Sequence, residues 1–271
     1  MAYLTDFTGT LLLVGAGKMG GAMLNGWLGL GLAPNKIAVL EPQLSPELTA
    51  FAQRGVSLNP KAVRASVIVL AVKPQVAPQV LPGLSPYVDR TTVVVSIMAG
   101  RTLGFLADRL GPTTAIVRGM PNTPAAIGRG ITVAVPNSQV STSQRDVVGR
   151  LLSATGAVEW VADEALMDAV TAVSGSGPAY VFLLAECLAR AGAAAGLPPE
   201  LATRLARATV AGSGELLHRS DLDAATLREN VTSPGGTTAA ALNVLMAKSG
   251  LGPLMEKAVA AATKRSRELA G

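Results

Sequence analysis

Two segments of this 271-residue chain combine glycine with hydroxyl side chains in a way that could do chemistry. They are Ser174-Gly175-Ser176-Gly177-Pro178-Ala179-Tyr180 and Ser233-Pro234-Gly235-Gly236-Thr237-Thr238. Each opens into a helical pattern, so each would turn bare backbone N–H groups and hydroxyls toward one small anionic ligand. Reduction of a ketone creates an alkoxide and calls for a proton donor such as His, Lys or Tyr; of these the two segments offer Tyr180 alone. Reduction of an imine asks less, because a protonated C=N already carries positive charge and collapses to a neutral amine. Backbone amides for a carboxylate, with Thr238 or Ser176 near the nitrogen, suffice for that reaction. The plainer alternative is that both segments are ordinary helix N-caps.

A hydride donor would come from the first part of the chain. Gly15-Ala16-Gly17-Lys18-Met19-Gly20 follows the apolar run Thr10–Val14 and opens a helix, with a strand pattern again from Lys36. In this βαβ setting Gly15 permits the tight turn, Gly17 lets a pyrophosphate approach the backbone, and Gly20 lets the helix lie close to the sheet. Glu41 ends the second strand, where a carboxylate reads the ribose 2′-hydroxyl and repels a 2′-phosphate; this leans toward NADH. Lys36 and Arg54 lie near enough in sequence to offer a phosphate partner instead. Ala71-Val72-Lys73-Pro74 and Ser96-Ile97-Met98-Ala99-Gly100 end further strands at the carboxyl edge, where ligands of open α/β sheets bind. Lys73 could reach a phosphate or the nicotinamide side, or be a solvated loop lysine. In the proline-bracketed loop Met120–Pro124, Asn122 is the best polar contact.

The elements that must position these groups follow from the apolar pattern. Short continuous apolar runs at 10–14, 36–40, 67–72, 93–97, 115–117 and 131–135 read as strands buried on both faces. Ser45-Pro46-Glu47 starts a helix that Gly55 ends, and Ser141-x-x-Gln144 forms a capping box for a helix closed by Gly156. Alternating strands and helices imply a parallel, doubly wound sheet. After Val158–Val161 the strand signals stop. Helices are expected near 164–173, 178–195, 199–218, 223–231, 237–248 and 253–269. The expected organisation is therefore an α/β Rossmann-type doubly wound domain at 1–162, followed by an all-α domain at 163–271. The small residues of Ala191–Gly196 and Ala258–Ala262 permit close helix approach and suggest pairing with a second copy.

Composition excludes several classes. Hydrophobic residues make up 49% and charged residues 15%, with a net charge of +5 and no basic run, so nucleic-acid binding has little support. No uncharged apolar span of membrane length and no secretory signal pattern at Met1–Thr10 is visible, which points to a cytoplasmic protein. The single cysteine, Cys187, reads as a buried inert thiol, and the single histidine, His218, as solvated or capping. One of each cannot build a His/Cys metal site, so no metal is expected.

Several motifs resemble one family. Gly15–Met23, Ala71–Pro74, Met120–Pro124, Val173–Tyr180 and Asn230–Thr238 are similar, in order and over nearly the whole chain, to pyrroline-5-carboxylate reductase. The resemblance implies NAD(P)H-dependent reduction of the cyclic imine Δ1-pyrroline-5-carboxylate to L-proline, with NADPH or NADH as cofactor. It implies a helical dimerisation domain, giving a homodimer often assembled further into a decamer. It also implies that Thr238 hydrogen-bonds near the ring nitrogen and that Gly236, Thr237 and Thr238 hold the carboxylate. Ser176 and Glu164 would line the pocket, and Asn230 would contact the cofactor. Glu164 has a plainer role available, since a carboxylate in a first helical turn suits the dipole. Family members commonly carry Ser, Thr or Asn near Glu41, so this acidic residue departs from the NADPH-favouring pattern. A β-hydroxyacid dehydrogenase is disfavoured because Pro178–Ala189 contains no lysine, and a non-catalytic nucleotide sensor would not need the second glycine–hydroxyl segment.

Overall fold

The computed structural model describes residues 3–270; residues 1, 2 and 271 of the two expected domains lie outside it. The sheet contains β1 (Leu11–Val14), β2 (Ile37–Leu40), β3 (Ser57–Leu58), β4 (Val67–Leu70), β5 (Val93–Ser96), β6 (Ala115–Met120), β7 (Gly130–Pro136) and β8 (Gly156–Trp160). Their spatial order is β3-β2-β1-β4-β5-β6-β7-β8. Leu13 stands beside Val39 on one side and Val69 on the other, and neighbouring strands run parallel with one exception. That exception corrects the all-parallel expectation: β7 is antiparallel to β6, with Met120 opposite Val133. The link between them is a 3-10 turn at Thr123–Ile127, too short for the crossover that a parallel return needs.

Helices cover both faces. On one lie α1 (Lys18–Gly29), α2 (Pro46–Gln53) and α5 (Thr142–Leu152); on the other lie α3 (Ala77–Val80), the 3-10 segment Leu81–Tyr87 and α4 (Leu103–Leu110). Side chains alternate accordingly. Leu11, Leu13, Val67 and Val69 pack with Met23, Leu24, Trp27 and Leu151, whereas Leu12, Ile68 and Leu70 pack with Leu81, Leu84 and Leu106. Trp27 is fully buried, and its indole N–H donates to the Leu151 carbonyl at 2.8 Å. Both anticipated N-caps are present: Ser45 accepts from Leu48 N, and Ser141 with Gln144 completes the capping box.

Beyond β8 come α6 (Met167–Val170), α7 (Gly177–Ala194), α8 (Pro199–Arg219), α9 (Ala224–Asn230), α10 (Thr237–Leu245) and α11 (Leu251–Ala270). The chain forms two compact units, 1–175 with 263–271 and 176–262. The boundary between these packed units falls at Gly175, while the helical elements begin directly after β8, at Glu164. Residues 164–175 belong with the sheet because Met167 is buried against Val133 and Val135. The end of α11 rejoins the same unit: Ser266 Oγ donates to Asp168 Oδ1 at 2.7 Å, and Leu269 packs on Gly100.

The second unit has little interior of its own. Among its described residues only Ala202 and Ala206 are buried, while Val181, Phe182, Leu183 and Leu184 of α7 are all exposed. The helical stretch Glu164–Ala194 is long and apolar enough to cross a membrane by length and composition, a property the sequence reading did not assign to it. Cys187 is exposed rather than buried, since α7 buries no residue within one chain; Arg190 Nη2 stands 3.2 Å from its sulfur.

Candidate active site

The glycine-rich loop has the backbone that its sequence demands. Gly15 adopts φ +91°, and a Cβ on Gly20 would fall 2.2 Å from the Gly15 carbonyl oxygen, so α1 can approach the loop only with glycine there. A Cβ on Gly17 would meet nothing within 4 Å, which leaves its face open to a ligand. Gly17 caps α1 with extended backbone and no side-chain hydrogen bond, so the helix start offers free N–H donors to an anion. Lys18 is exposed beside them, and Met19 packs partly into the core. Ala16 N is already engaged: it donates to Glu41 Oε2 at 2.8 Å, while Gln43 N donates to Glu41 Oε1 at 3.1 Å.

The neighbouring strand ends complete this edge. Ala71 and Val72 follow β4 half-buried, and Lys73 is exposed. Pro74 presents its carbonyl to Arg101, which donates from Nε at 3.1 Å and Nη2 at 2.9 Å. Arg101 therefore ties the loops after β4 and β5 together, a role the sequence reading missed. Its nearest signal was position alone, directly after Gly100. Of the three residues expected there, Ala99 is exposed, Met98 sends its side chain into the core, and Gly100 is buried under Leu269. Asn122 serves the fold with its carbonyl oxygen, which accepts from Ile131 N at 3.0 Å.

Glu164 is placed differently from the expectation of a pocket-lining carboxylate. Its Oε1 accepts from Arg118 Nη1 and from Leu103 N, each at 2.8 Å. Arg118 lies on β6 with its side chain 5% exposed, against 28% for Glu164. The carboxylate thus compensates a buried guanidinium and receives the first N–H of α4. Buried charges need such pairing.

The first glycine–hydroxyl segment is not a free helix start. Thr171–Gly175 form a π-helical turn that joins α6 to α7, and Ser176 has helical backbone with no capping hydrogen bond. Such widened turns occur frequently at functional sites. Here the turn leaves Ser174 Oγ buried without a hydrogen-bond partner, and a Cβ on Gly175 would fall 2.5 Å from Met120 Cε. The second segment matches its expectation better. Gly235 has φ +67°, Gly236 caps α10 with extended backbone, and the amides of Thr237 and Thr238 open the helix without a side-chain cap. Asn230 is exposed at the last residue of α9, and His218 sits in the last turn of α8, where a cation suits the dipole.

Comparison with known proteins decides what this arrangement is. A pyrroline-5-carboxylate reductase from Pseudomonas aeruginosa is 41% identical over 267 residues, spanning 97% of each chain. The chain belongs to the pyrroline-5-carboxylate reductase family. The reductase of Synechocystis is likewise 41% identical, over 95% of this chain and 97% of that one. A solved pyrroline-5-carboxylate reductase from Coxiella burnetii superimposes with a TM-score of 0.89 at 35% identity, covering 97% of this chain and 98% of the other. A Plasmodium falciparum pyrroline carboxylate reductase solved with NADP bound gives 0.81 at 30%, covering 97% and 99%. Residues 164–269 match the family model for pyrroline-5-carboxylate reductase dimerisation, and 10–100 match that for NADP oxidoreductase, coenzyme F420-dependent. This family member is an NAD(P)H-dependent oxidoreductase of pyrroline-5-carboxylate with a Rossmann-like sheet domain and a dimerisation domain.

Proposed function

We propose that the chain catalyses the last step of proline synthesis by the following division of labour. The crevice at Gly15–Gly20, bounded by Glu41, Ala71–Pro74 and Met98–Gly100, holds the reduced dinucleotide, with its pyrophosphate on the uncapped start of α1. Asn122 and Asn230 add polar contacts to it. Hydride passes from the nicotinamide to the C=N carbon of Δ1-pyrroline-5-carboxylate, and the iminium nitrogen becomes the neutral amine of L-proline. No strong acid or base is needed, because the charge that develops is a cation's disappearance rather than an alkoxide's formation. The substrate carboxylate is held by the amides of Thr237 and Thr238, since Gly236 N already donates to the Ser233 carbonyl at 3.0 Å and so drops out of the expected trio; the Thr238 hydroxyl orients the ring nitrogen. Ser176 contributes a second hydroxyl. Glu164 acts on the pocket indirectly, by holding Arg118 and α4.

The observation that carries this reading is the start of α10 after Gly236, which has no side-chain cap and leaves the amides of Thr237 and Thr238 for a ligand anion. The exposed apolar residues of α7 support a homodimer; assembly of dimers into a decamer, in the cytoplasm, rests on the family resemblance alone. The test is Thr238→Ala, which removes one hydroxyl from the proposed charged ligand. A hydrogen bond of this kind contributes about 1.5–3 kcal/mol, so kcat/KM for the imine should fall roughly ten- to a hundredfold. An unchanged value would remove Thr238 from the mechanism.

A further inference from the structure

The end of β2 carries an arrangement that hydride transfer does not by itself require. Glu41 receives Ala16 N on one carboxylate oxygen at 2.8 Å and Gln43 N on the other at 3.1 Å. Its backbone is gripped on both sides by one residue: Asn59 Oδ1 accepts from Glu41 N at 2.9 Å, and Asn59 Nδ2 donates to Glu41 O at 3.0 Å. Asn59 follows β3 and is fixed by its own N–H on Val39 O at 2.8 Å. With φ +46° it is the one non-glycine residue of positive φ among the described residues, a conformation asparagine tolerates better than most. A strained residue is thus kept where its amide pins the backbone of Glu41, and the carboxylate is set against the glycine-rich loop before any cofactor arrives.

This placement discriminates between dinucleotides. A carboxylate oxygen offers two lone pairs, so after one N–H each, both oxygens can still accept from the vicinal hydroxyls of an unmodified ribose. A 2′-phosphate at the same point would bring two negative charges against a fixed third. Three of the cations nearest in sequence are turned away from this point. Lys36 Nζ donates to the Phe7 carbonyl at the amino end of β2. Arg54 precedes Gly55, whose Cβ position faces Pro34 and Asn35 at that same end, and its guanidinium lies over Phe51. Four residues of strand put this edge about 13 Å from Glu41. Arg64 pairs with Asp89. Lys61, two residues beyond Asn59, and Lys18, exposed at the start of α1, are the cations on the carboxyl side of this part of the sheet, and Lys18 stands at the helix start proposed for the pyrophosphate.

We infer that Glu41, positioned by Asn59, makes the chain select NADH over NADPH. The selection rests on the cofactor crevice proposed above, so the experiment separates the two. The protein is titrated with NADH and with NADPH without imine, following nicotinamide fluorescence, and kcat and KM for both are then measured with pyrroline-5-carboxylate. NADH should bind at least about tenfold more tightly, the scale of one uncompensated like-charge contact near a protein surface. Glu41→Ser should erase or reverse that ratio. Asn59→Gly, which keeps the backbone conformation but loses the grip, should narrow the ratio several-fold through KM while kcat at saturating NADH stays the same. A merely structural Asn59 would lower both cofactors' parameters together. Equal or tighter binding of NADPH to the wild type overturns the inference, and its loss in Lys61→Ala, with NADH binding intact, would identify Lys61 as the phosphate partner. Failure of both dinucleotides to bind overturns the crevice itself, and the selection with it.

Discussion

Replacing Glu164 tests whether that carboxylate supports the fold or touches the substrate. In the structure it accepts from Arg118 and from Leu103 N, and the guanidinium it faces is 5% exposed. Removing one partner of a buried ion pair costs about 3–5 kcal/mol, because the remaining charge is left without compensation. Glu164 itself is 28% exposed, so water can enter in its place, and the lower end, about 3 kcal/mol, applies to Glu164→Ala. Leu103 N adds little to this, since it opens α4 at a helix start that water can also reach. For a chain of this size each kcal/mol moves the melting midpoint by about 2–4 °C, so the variant should melt about 6–12 °C below wild type. Glu164→Gln keeps an acceptor for both donors and should lose roughly half as much. Thermal melts followed by circular dichroism, alongside KM for the imine, give the comparison. A Glu164→Ala variant that melts within about a degree of wild type, yet binds pyrroline-5-carboxylate tenfold more weakly, would refute the anchoring role.

Gly20→Ala places a Cβ 2.2 Å from the Gly15 carbonyl oxygen, so α1 must shift away from the loop; dinucleotide affinity measured by fluorescence should fall at least tenfold while the helical content by circular dichroism is retained. Asp6 has its pKa lowered from 3.8, chiefly by the hydrogen bond from the Arg150 side chain. A depressed carboxyl pKa contributes stability that is present above pH 3.8 and is lost as pH falls through the folded-state value. Wild type and Asp6→Asn should therefore differ slightly in urea midpoint at pH 7 and converge in the acid limb below pH 3.8; a constant difference across that range would show that the ion pair contributes nothing through titration.

The strands of the sheet were legible because parallel strands covered on both faces must be continuously apolar, as Leu11–Val14 and Val67–Leu70 are. β3 escaped notice because two residues, Ser57 and Leu58, carry no periodicity. The orientation of β7 depended on the brevity of the turn at Thr123–Ile127, which a strand-by-strand reading does not weigh. The start of the helical domain was placed where strand patterns cease, but packing put residues 164–175 with the sheet, through Met167 and through the pairing of Glu164 with Arg118. Glu164 lies 46 positions from Arg118, and Met167 is more than thirty positions from Val133 and Val135, beyond the reach of local pattern. Asn59 could not be seen for the same reason: its importance lies in a positive φ and a grip on Glu41 that only the folded chain reveals. Cys187 was misjudged because an apolar helix implies burial without saying which chain does the burying.

The return of residues 263–269 to the first unit makes the second unit an insertion within the first. Synthesis runs from the N-terminus, and domains ordinarily fold as their residues emerge. The Rossmann sheet can form early, but Asp168 must wait for Ser266, and Gly100 for Leu269, until every residue of the inserted helices has been made. During that interval the loop after β5, which helps to bound the proposed dinucleotide crevice, lacks its final packing partner. A nascent chain should therefore acquire its sheet well before it acquires a finished nucleotide edge.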